Sequence, residues 1–428
     1  VKSISKIAVL GLGYVGLPLA VTLAKHFRVT GYDIDSTRIS ELRSGQDRTR
    51  EISASALKNA TLALTDKLTD LQGAELFIVA VPTPVDETSQ PDLAALEGAS
   101  RQVGSVLGKG AVVVYESTVY PGVTEDFCGP ILEEASGLRC GADFHLGYSP
   151  ERINPGDTQH TVDRITKVVA GQTPDVAALL KEVYGHLNNG NIFVARDIRT
   201  AEAAKVIENA QRDINIAFIN EVTEIFGKLG ISAYDVLDAA RTKWNFLDFQ
   251  PGLVGGHCIG VDPFYLAHCS KAMGHDPEII LAGRRINDAM GAKLAGRIDD
   301  AVKAAFPDEA STRLLVLGLT FKENLPDLRN TKVIDVVRSL EARGHHVEIH
   351  DAYADPAEAK RNYDVDLLPS LEGAGPYHGL IGAVPHDLYR AFTGPSFRSL
   401  LHAEGVVADI KGMWRDARLP DGLHRWQL

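Results

Sequence analysis

Cysteine is scarce: four thiols stand in 428 residues, at 128, 140, 258 and 269, and they form neither a CxxC pair nor a zinc-ligand spacing. A chain of this length buries enough core to need no disulfide staples, so a reducing compartment, the cytoplasm, is expected and a bound metal is not. Basic runs are missing too. No five consecutive basic residues occur and the formal net charge is -12, which removes the electrostatic footprint of a nucleic-acid or anionic-membrane binder. No stretch of about 18 apolar residues exists. The short apolar run in "VKSISKIAVLGLGYVG" passes straight into glycines, so neither secretion nor membrane insertion is expected. Low-complexity tracts are absent as well, the 39 Gly and 20 Pro being spread as punctuation through an ordinary globular composition.

What is present has the length of two or three domains, at roughly 100 to 200 residues each. The opening "KIAVLGLGYVGLPLAVTLAKHFRVTGYDID" runs strand, glycine turn, helix, strand, with Val15, Leu19, Leu23 and Phe27 at helical spacing. Short β-branched runs at 74–84 and 110–119 continue the pattern. Strands alternating with helices predict a parallel sheet wound on both faces. From Thr200 to Gly230 there is no Pro, and no Gly before Gly227; Val206, Ala210, Ile214, Ala217 and Phe218 mark an apolar stripe, so one long helix is predicted. Helical spacing continues through "SAYDVLDAART", breaks at "GLVGGHCIGVDP" and resumes at "PEIILAGRRINDAMGAKLAGRIDDAV". The last third repeats the first: "RLLVLGLTF" stands where "KIAVLGLG" stood, "HHVEIHDAYAD" echoes "FRVTGYDID", and "HGLIGAVPH" echoes "ELFIVAVPT". The expected fold class is α/β: two doubly wound Rossmann-like domains joined by a long central helix and a helical middle domain, with boundaries at 1–198, 199–305 and 306–428.

Three features carry chemistry. Gly11, Gly13 and Gly16 form GxGxxG between a predicted strand and helix, and Asp33 ends the second strand about 20 residues later. The first glycine permits the tight turn, the second lets backbone approach a pyrophosphate at the helix N-terminus, the third allows close helix packing, and Asp33 accepts from ribose hydroxyls. A carboxylate there repels a 2′-phosphate, so NAD is expected rather than NADP. Lys205 and Asn209 are one turn apart on the long helix, off its apolar stripe. They are either an oxyanion-stabilising pair or two solvated polar residues. Cys258, between a glycine pair and a glycine with Asp262 four residues on, is either a small buried hydrophobe or a nucleophile. Flanking glycines that clear space for a substrate, and a dinucleotide domain that supplies an oxidant, favour a thiol that carries an aldehyde through thiohemiacetal and thioester.

"GLGYVGLPLA", "VAVPTPVDE", "YESTVYPGVTE", "GYSPERINPGD", "AEAAKVIENAQRDINIAFINE", "VGGHCIGVDP" and "GLTFKENLPDLRNTKV" follow one another along nearly the whole chain. In this order they resemble the UDP-glucose/GDP-mannose dehydrogenase family, NAD-dependent enzymes that oxidise the C6 alcohol of a nucleotide sugar to a carboxylate. "KWNFL", "SPERINPGD" and "ENLPDLRNTKV" are most similar to the branch acting on UDP-N-acetylglucosamine or UDP-N-acetylgalactosamine for surface polysaccharides.

The resemblance implies Cys258 as nucleophile, with Lys205, Asn209 and Asp262 around it, Thr118 holding a water and Glu151 assisting thioester hydrolysis. It implies a cofactor set of Gly11, Gly13, Tyr14, Val15, Gly16, Asp33, Arg38, Thr83, Thr118 and Arg329. The implied substrate set is Glu151, Arg152, Lys205, Asn209, Arg212, Gly255 and Lys322, and at least a homodimer is implied through the long helix. Two positions depart from the branch: Asp248 stands where it carries Pro, and Gln250 where it carries Arg. Arg152, Arg212 and Arg241 are the nearby cations that could replace the lost charge, and Pro155, where UDP-glucose enzymes carry a second glutamate, favours the N-acetyl branch. His257 either tunes the thiolate or packs the loop.

Other readings remain at this point. UDP-glucose or UDP-N-acetylmannosamine is an alternative substrate within the family. A two-electron alcohol or hydroxyacid dehydrogenase would leave Cys258 a bystander, and an NAD-binding scaffold would leave Lys205, Asn209, Cys258 and Asp262 all unexplained.

Overall fold

A computed structural model describes residues 4–86, 88–152, 163–256 and 259–428. Contacts divide the chain into two units, Val1–Glu208 with Phe264–His275, and Asn209–Pro263 with Asp276–Leu428. Among the described residues no helix is long and apolar enough to cross a membrane.

The first unit is built on β1 (Lys6–Leu10), β2 (Arg28–Tyr32), β3 (Ala63–Thr65), β4 (Leu76–Val79), β5 (Val112–Tyr115), β6 (His145–Tyr148), β7 (Lys167–Gly171) and β8 (Ile192–Val194). They lie in the order β3-β2-β1-β4-β5-β6-β7-β8. Successive side chains leave a strand on opposite faces. Ile7 and Val9 therefore join one core with Ile78, Val112 and the helix residue Leu17, while Ala8 and Leu10 join another with Phe77, Val113 and Leu96. Covering both faces makes the central strands apolar runs rather than alternating ones. The parallel winding expected from sequence holds from β3 to β6; β7 then pairs antiparallel to β6. Hydrophobic periodicity identifies a strand but not its direction, and sheets of this kind tolerate a reversed strand toward the edge. Strand order reverses between β1 and β4, which opens a crevice beyond their carboxyl ends.

In the second unit β9 (Arg313–Leu317), β10 (His346–His350), β11 (Tyr377–Gly382), β12 (Leu401–Asp409) and β13 (His424–Gln427) form an all-parallel sheet ordered β10-β9-β11-β12-β13. Leu314 and Val316 face a core filled by Met290, Leu294, Ile298 and Val302 of the helix Glu278–Ala305, while Leu315 and Leu317 face another around Trp414. The order reverses between β9 and β11, giving a second crevice.

The long helix spans Ile198–Lys228, 31 residues and so about 46 Å. Its buried stripe is not the one read from sequence. Val206, Ala210 and Ala217 are buried as expected, but Phe218 is 59% exposed, and Glu202, Lys205, Asn209, Asp213, Asn220 and Thr223 are all buried. Polar residues continue the stripe at three- and four-residue spacing, where an apolar count cannot see them.

Candidate active site

At the first crevice Gly11 follows β1 with φ +87°, and a Cβ there would lie 2.5 Å from the Ala80 carbonyl oxygen. A Cβ on Gly16 would meet the Gly11 carbonyl, whereas the space a Gly13 Cβ would take is open. The turn thus needs the first and third glycines for its own packing and leaves the second facing room. Val15, before the helix Gly16–Leu23, supplies no side-chain cap; Leu17 and Leu19 N–H donate to the Gly13 and Val15 carbonyls at 3.1 and 3.4 Å and Pro18 has no N–H, so the approach to a pyrophosphate is over the open backbone at Gly13. Asp33 follows β2 and accepts from Leu12 N–H at 2.8 Å and Asp35 N–H at 3.0 Å, bringing its carboxylate to the glycine turn. Arg38, 4% exposed, donates Nε and Nη2 to the Leu12 carbonyl and pairs with Asp47 at 2.7 Å. Its Nη1 is buried with no hydrogen-bond partner among the described residues, a donor still to be satisfied. These features fit the pyrophosphate and adenosine ribose of NAD. Tyr14 lies partly buried in the same turn.

Across the crevice, Thr83 Oγ1 donates to the Thr118 carbonyl at 2.7 Å, so the turns after β4 and β5 are fastened together. Tyr265, fully buried, donates to the Thr83 and Pro84 carbonyls at 3.0 and 3.2 Å. Glu202 on the long helix accepts from Gly122 N–H at 2.6 Å and Thr124 N–H at 2.9 Å, pinning the turn beyond Thr118. Burial pushes its carboxyl up to about 7, against those donors. Neither Tyr265 nor Glu202 was expected from sequence, because both act through carbonyls or N–H groups far away along the chain. Glu151 follows β6; its Oε1 accepts from Arg152 N–H at 2.6 Å, and its Oε2 lies 3.9 Å from Lys167 Nζ.

Lys205 and Asn209 are each 7% exposed, which removes the reading of two solvated residues. Asn209 Nδ2 donates to Asp262 Oδ2 at 2.5 Å, and Asp262, first residue of the helix Asp262–Ala272, is 2% exposed. Residues 53 apart along the chain are thus brought into one buried hydrogen bond. The family resemblance placed both residues around Cys258 but implied no hydrogen bond between them.

His257 and Cys258 lie outside the described residues, as do residues 153–162 with Pro155. The loop leading to Cys258 is described. Asn220 clasps Gly252 from both sides, donating to its carbonyl at 3.0 Å and accepting from its N–H at 2.8 Å. Gly256 N–H donates to the Asn330 carbonyl at 3.3 Å, and Asn330 Nδ2 returns a bond to the Gly256 carbonyl at 3.1 Å. A Cβ on Gly255 would lie 2.7 Å from the Asn330 oxygen, and Gly256 has φ +84° with Phe321 against it. These glycines are therefore required for close packing on "FKENLPDLRN"; the expectation that they clear space for a substrate is corrected to that extent. Sequence reasoning missed Asn220 and Asn330 because each acts on backbone groups distant in the chain.

At the second crevice a cavity of about 50 Å³ is lined by Gly255, Phe321, Glu323, Lys332, Pro385 and Lys411. Burial pushes the Lys411 ammonium down while Glu323 opposes. The cavity is too small to enclose a nucleotide, so it is one subsite of a ligand at most. Lys322 is partly buried beside it in the chain. Lys411 was not singled out from sequence, being a lone lysine after an apolar strand.

Several expected cations are already engaged. Arg152 pairs with Glu208 at 2.7 Å and donates to the Thr166 carbonyl at 3.0 Å. Arg241 pairs with Asp238 and Asp248, and Gln250 Nε2 donates to Asp248 at 2.5 Å, so the two departing positions bind one another. Arg329 is bidentate with Asp327, and Arg212 lies on an exposed face of the long helix.

Models of one family match along the chain: the UDP-glucose/GDP-mannose dehydrogenase NAD-binding domain at residues 5–188, its central domain at 199–289 and its UDP-binding domain at 315–416. The UDP-N-acetyl-D-glucosamine 6-dehydrogenase of Pseudomonas aeruginosa is 51% identical over 95% of this chain and 96% of that protein. A protein of the same name from Salmonella typhi is 46% identical over the same shares. Among solved structures, the UDP-D-ManNAc dehydrogenase of Pyrococcus horikoshii superposes with a TM-score of 0.88 at 31% identity, covering 98% of both chains. With its glycine turn and Asp33 formed as a dinucleotide cradle, the chain belongs to the UDP-glucose/GDP-mannose dehydrogenase family and is an NAD-dependent oxidoreductase.

Proposed function

We propose that this chain oxidises C6 of a UDP-N-acetylhexosamine, UDP-N-acetylglucosamine or UDP-N-acetylgalactosamine, from alcohol to carboxylate for surface polysaccharide synthesis in the cytoplasm. The observation that carries the chemistry is the buried Asn209–Asp262 hydrogen bond with Lys205 one helical turn away, an arrangement that a solvated helix face does not explain. The relatives' names support the sugar.

In this reading Asp262 acts through a water as base toward the C6 hydroxyl, and Thr118 holds a water. Lys205 and Asn209 stabilise negative charge developing on the substrate oxygen. NAD, when held by the glycine turn, Asp33 and Arg38, would supply the oxidising power as a hydride acceptor, one molecule for each of the two oxidations. Cys258 adds to the aldehyde and retains it as a thiohemiacetal, so the reactive carbonyl is not released before it becomes a thioester. Glu151 then assists water in cleaving the thioester. Arg38, Asp33 and the glycine turn orient the cofactor, while Lys322, Gly255 and Lys411 hold part of the nucleotide sugar. A panel of UDP-glucose, UDP-N-acetylglucosamine, UDP-N-acetylgalactosamine, UDP-N-acetylmannosamine and GDP-mannose tests the substrate. The highest kcat/KM is expected for UDP-N-acetylglucosamine or UDP-N-acetylgalactosamine; a tenfold preference for any other member contradicts it.

A further inference from the structure

Lys167 opens β7, is 3% exposed, and has no part in the chemistry above. Its Nζ donates to Glu116 Oε2 at 2.5 Å and to the Pro150 carbonyl at 3.1 Å, and it stands 3.9 Å from Glu151 Oε2. Glu116 comes directly after β5 and is itself 1% exposed. The turn between them is fixed: Ser149 N–H donates to the Tyr115 carbonyl at 3.0 Å, and Ser149 Oγ to the Val168 carbonyl at 2.8 Å. Glu151 Oε1 accepts from Arg152 N–H, and Oε2 is the oxygen nearer the ammonium. The Tyr184 ring lies 5.5 Å from Lys167 Nζ on the remaining side. The Glu116 carboxylate and the Tyr184 hydroxyl are buried beside one another, and burial pushes the Glu116 carboxyl up against the pull of Lys167. An ion pair this deeply buried is a poor stabilising device, because desolvating two charges often offsets their attraction.

We propose that Lys167, clamped by Glu116, is a positioning residue that aims the Glu151 carboxylate for thioester hydrolysis. This rests on the function proposed above. One ammonium thus stands beside two carboxylates, hydrogen-bonded to Glu116 and 3.9 Å from Glu151, so its charge orients the Glu151 carboxylate while Glu116 holds the ammonium in place. When Glu151 takes a proton, the ammonium keeps Glu116 as its partner, and no buried charge is stranded. The step it serves is balanced. Water oxygen bonds to the thioester carbon as Glu151 takes a water proton; the carbon–sulfur bond then breaks with its electron pair leaving on sulfur, which recovers that proton. The products are the sugar acid and the free Cys258 thiol.

Lys167→Met alone strands Glu116 and can impair folding, so the decisive variant carries Glu116→Gln and Lys167→Met together, a neutral pair of similar size. Acid-quenched single turnovers with excess NAD are read by intact-protein mass spectrometry, beside NADH absorbance and thermal unfolding. The double variant is expected to unfold within a few degrees of the wild type and to release both hydrides at wild-type rate. It should accumulate the sugar thioester, with kcat at least about tenfold lower and the KM of either substrate within about twofold. A double variant that hydrolyses thioester at the wild-type rate, or that slows the hydride steps equally, overturns the proposal. Failure of the underlying reading is separate and visible in the wild type, as one NADH per sugar.

Discussion

Lys411 isolates one contact. Its ammonium lines the second crevice, where burial disfavours its charge and Glu323 only partly compensates, so an anionic ligand group would gain from meeting it. A charge-assisted hydrogen bond is worth about 1.5–3 kcal/mol, which is about ten- to hundredfold in affinity. Lys411→Ala is therefore expected to raise the KM for the nucleotide sugar by that factor, with kcat and the KM for NAD within about twofold. Steady-state kinetics varying each substrate decide it; an equal effect on NAD with none on the sugar refutes the assignment. Gly11, Gly16 and Asp33 were legible from sequence because their duties are local: a turn and a strand end at fixed spacing. Asn330, Asn220 and Lys411 were not, since each is defined by a partner far along the chain. The glycines beside Cys258 were noticed for the right reason, bare backbone, but what fills the bareness at Gly255 and Gly256 is Asn330 and Phe321.

At the scale of elements, the long helix was legible in extent and misread in its faces. An apolar count found Val206, Ala210 and Ala217, yet the stripe is completed by a buried polar ladder. Arg284 on the helix Glu278–Ala305 meets Asp213 at 2.6 Å, Asn287 donates to Asp213 at 2.7 Å, and Asn220 donates to Asn287 at 2.9 Å before reaching Gly252. Burial pushes the Asp213 carboxyl up while Arg284 opposes. Arg284→Met strands that carboxylate and is expected to cost about 3 kcal/mol or more, whereas adding Asp213→Asn should recover much of it. Urea unfolding followed by tryptophan emission reads this directly, as Trp244, Trp414 and Trp426 all lie in the second unit. A single variant within about 0.5 kcal/mol of the wild type removes the ladder's structural role. Glu202 gives the first unit a pH dependence of defined sign. Its carboxyl, near 4.5 when unfolded, is raised to about 7 when folded. Between those values the folded state holds a proton that the unfolded chain has released, so stability falls as pH rises through the window. In Glu202→Gln that component of the slope should vanish; a thermal midpoint that rises more steeply with pH in the wild type contradicts the sign.

For the whole molecule, the repeated strand grammar of the first and last thirds was legible because apolar runs bounded by Gly and Pro survive without any tertiary knowledge. The reversal of β7 was not, since pairing direction leaves no mark in one strand's composition. The exposed side chains of Phe218 and Ile225 on the long helix, at 59% and 51%, and of Leu229 just past its end, at 64%, are expected to be covered by a second copy. Light scattering at micromolar concentration should return a dimer or larger, and a monomer alone contradicts this. The central claim is that one chain removes four electrons, holding the aldehyde on Cys258 between two oxidations. Limiting UDP-N-acetylhexosamine with excess NAD, followed to completion by absorbance, measures it directly. Two NADH per sugar is predicted, with the uronate as product; one NADH per sugar contradicts the account.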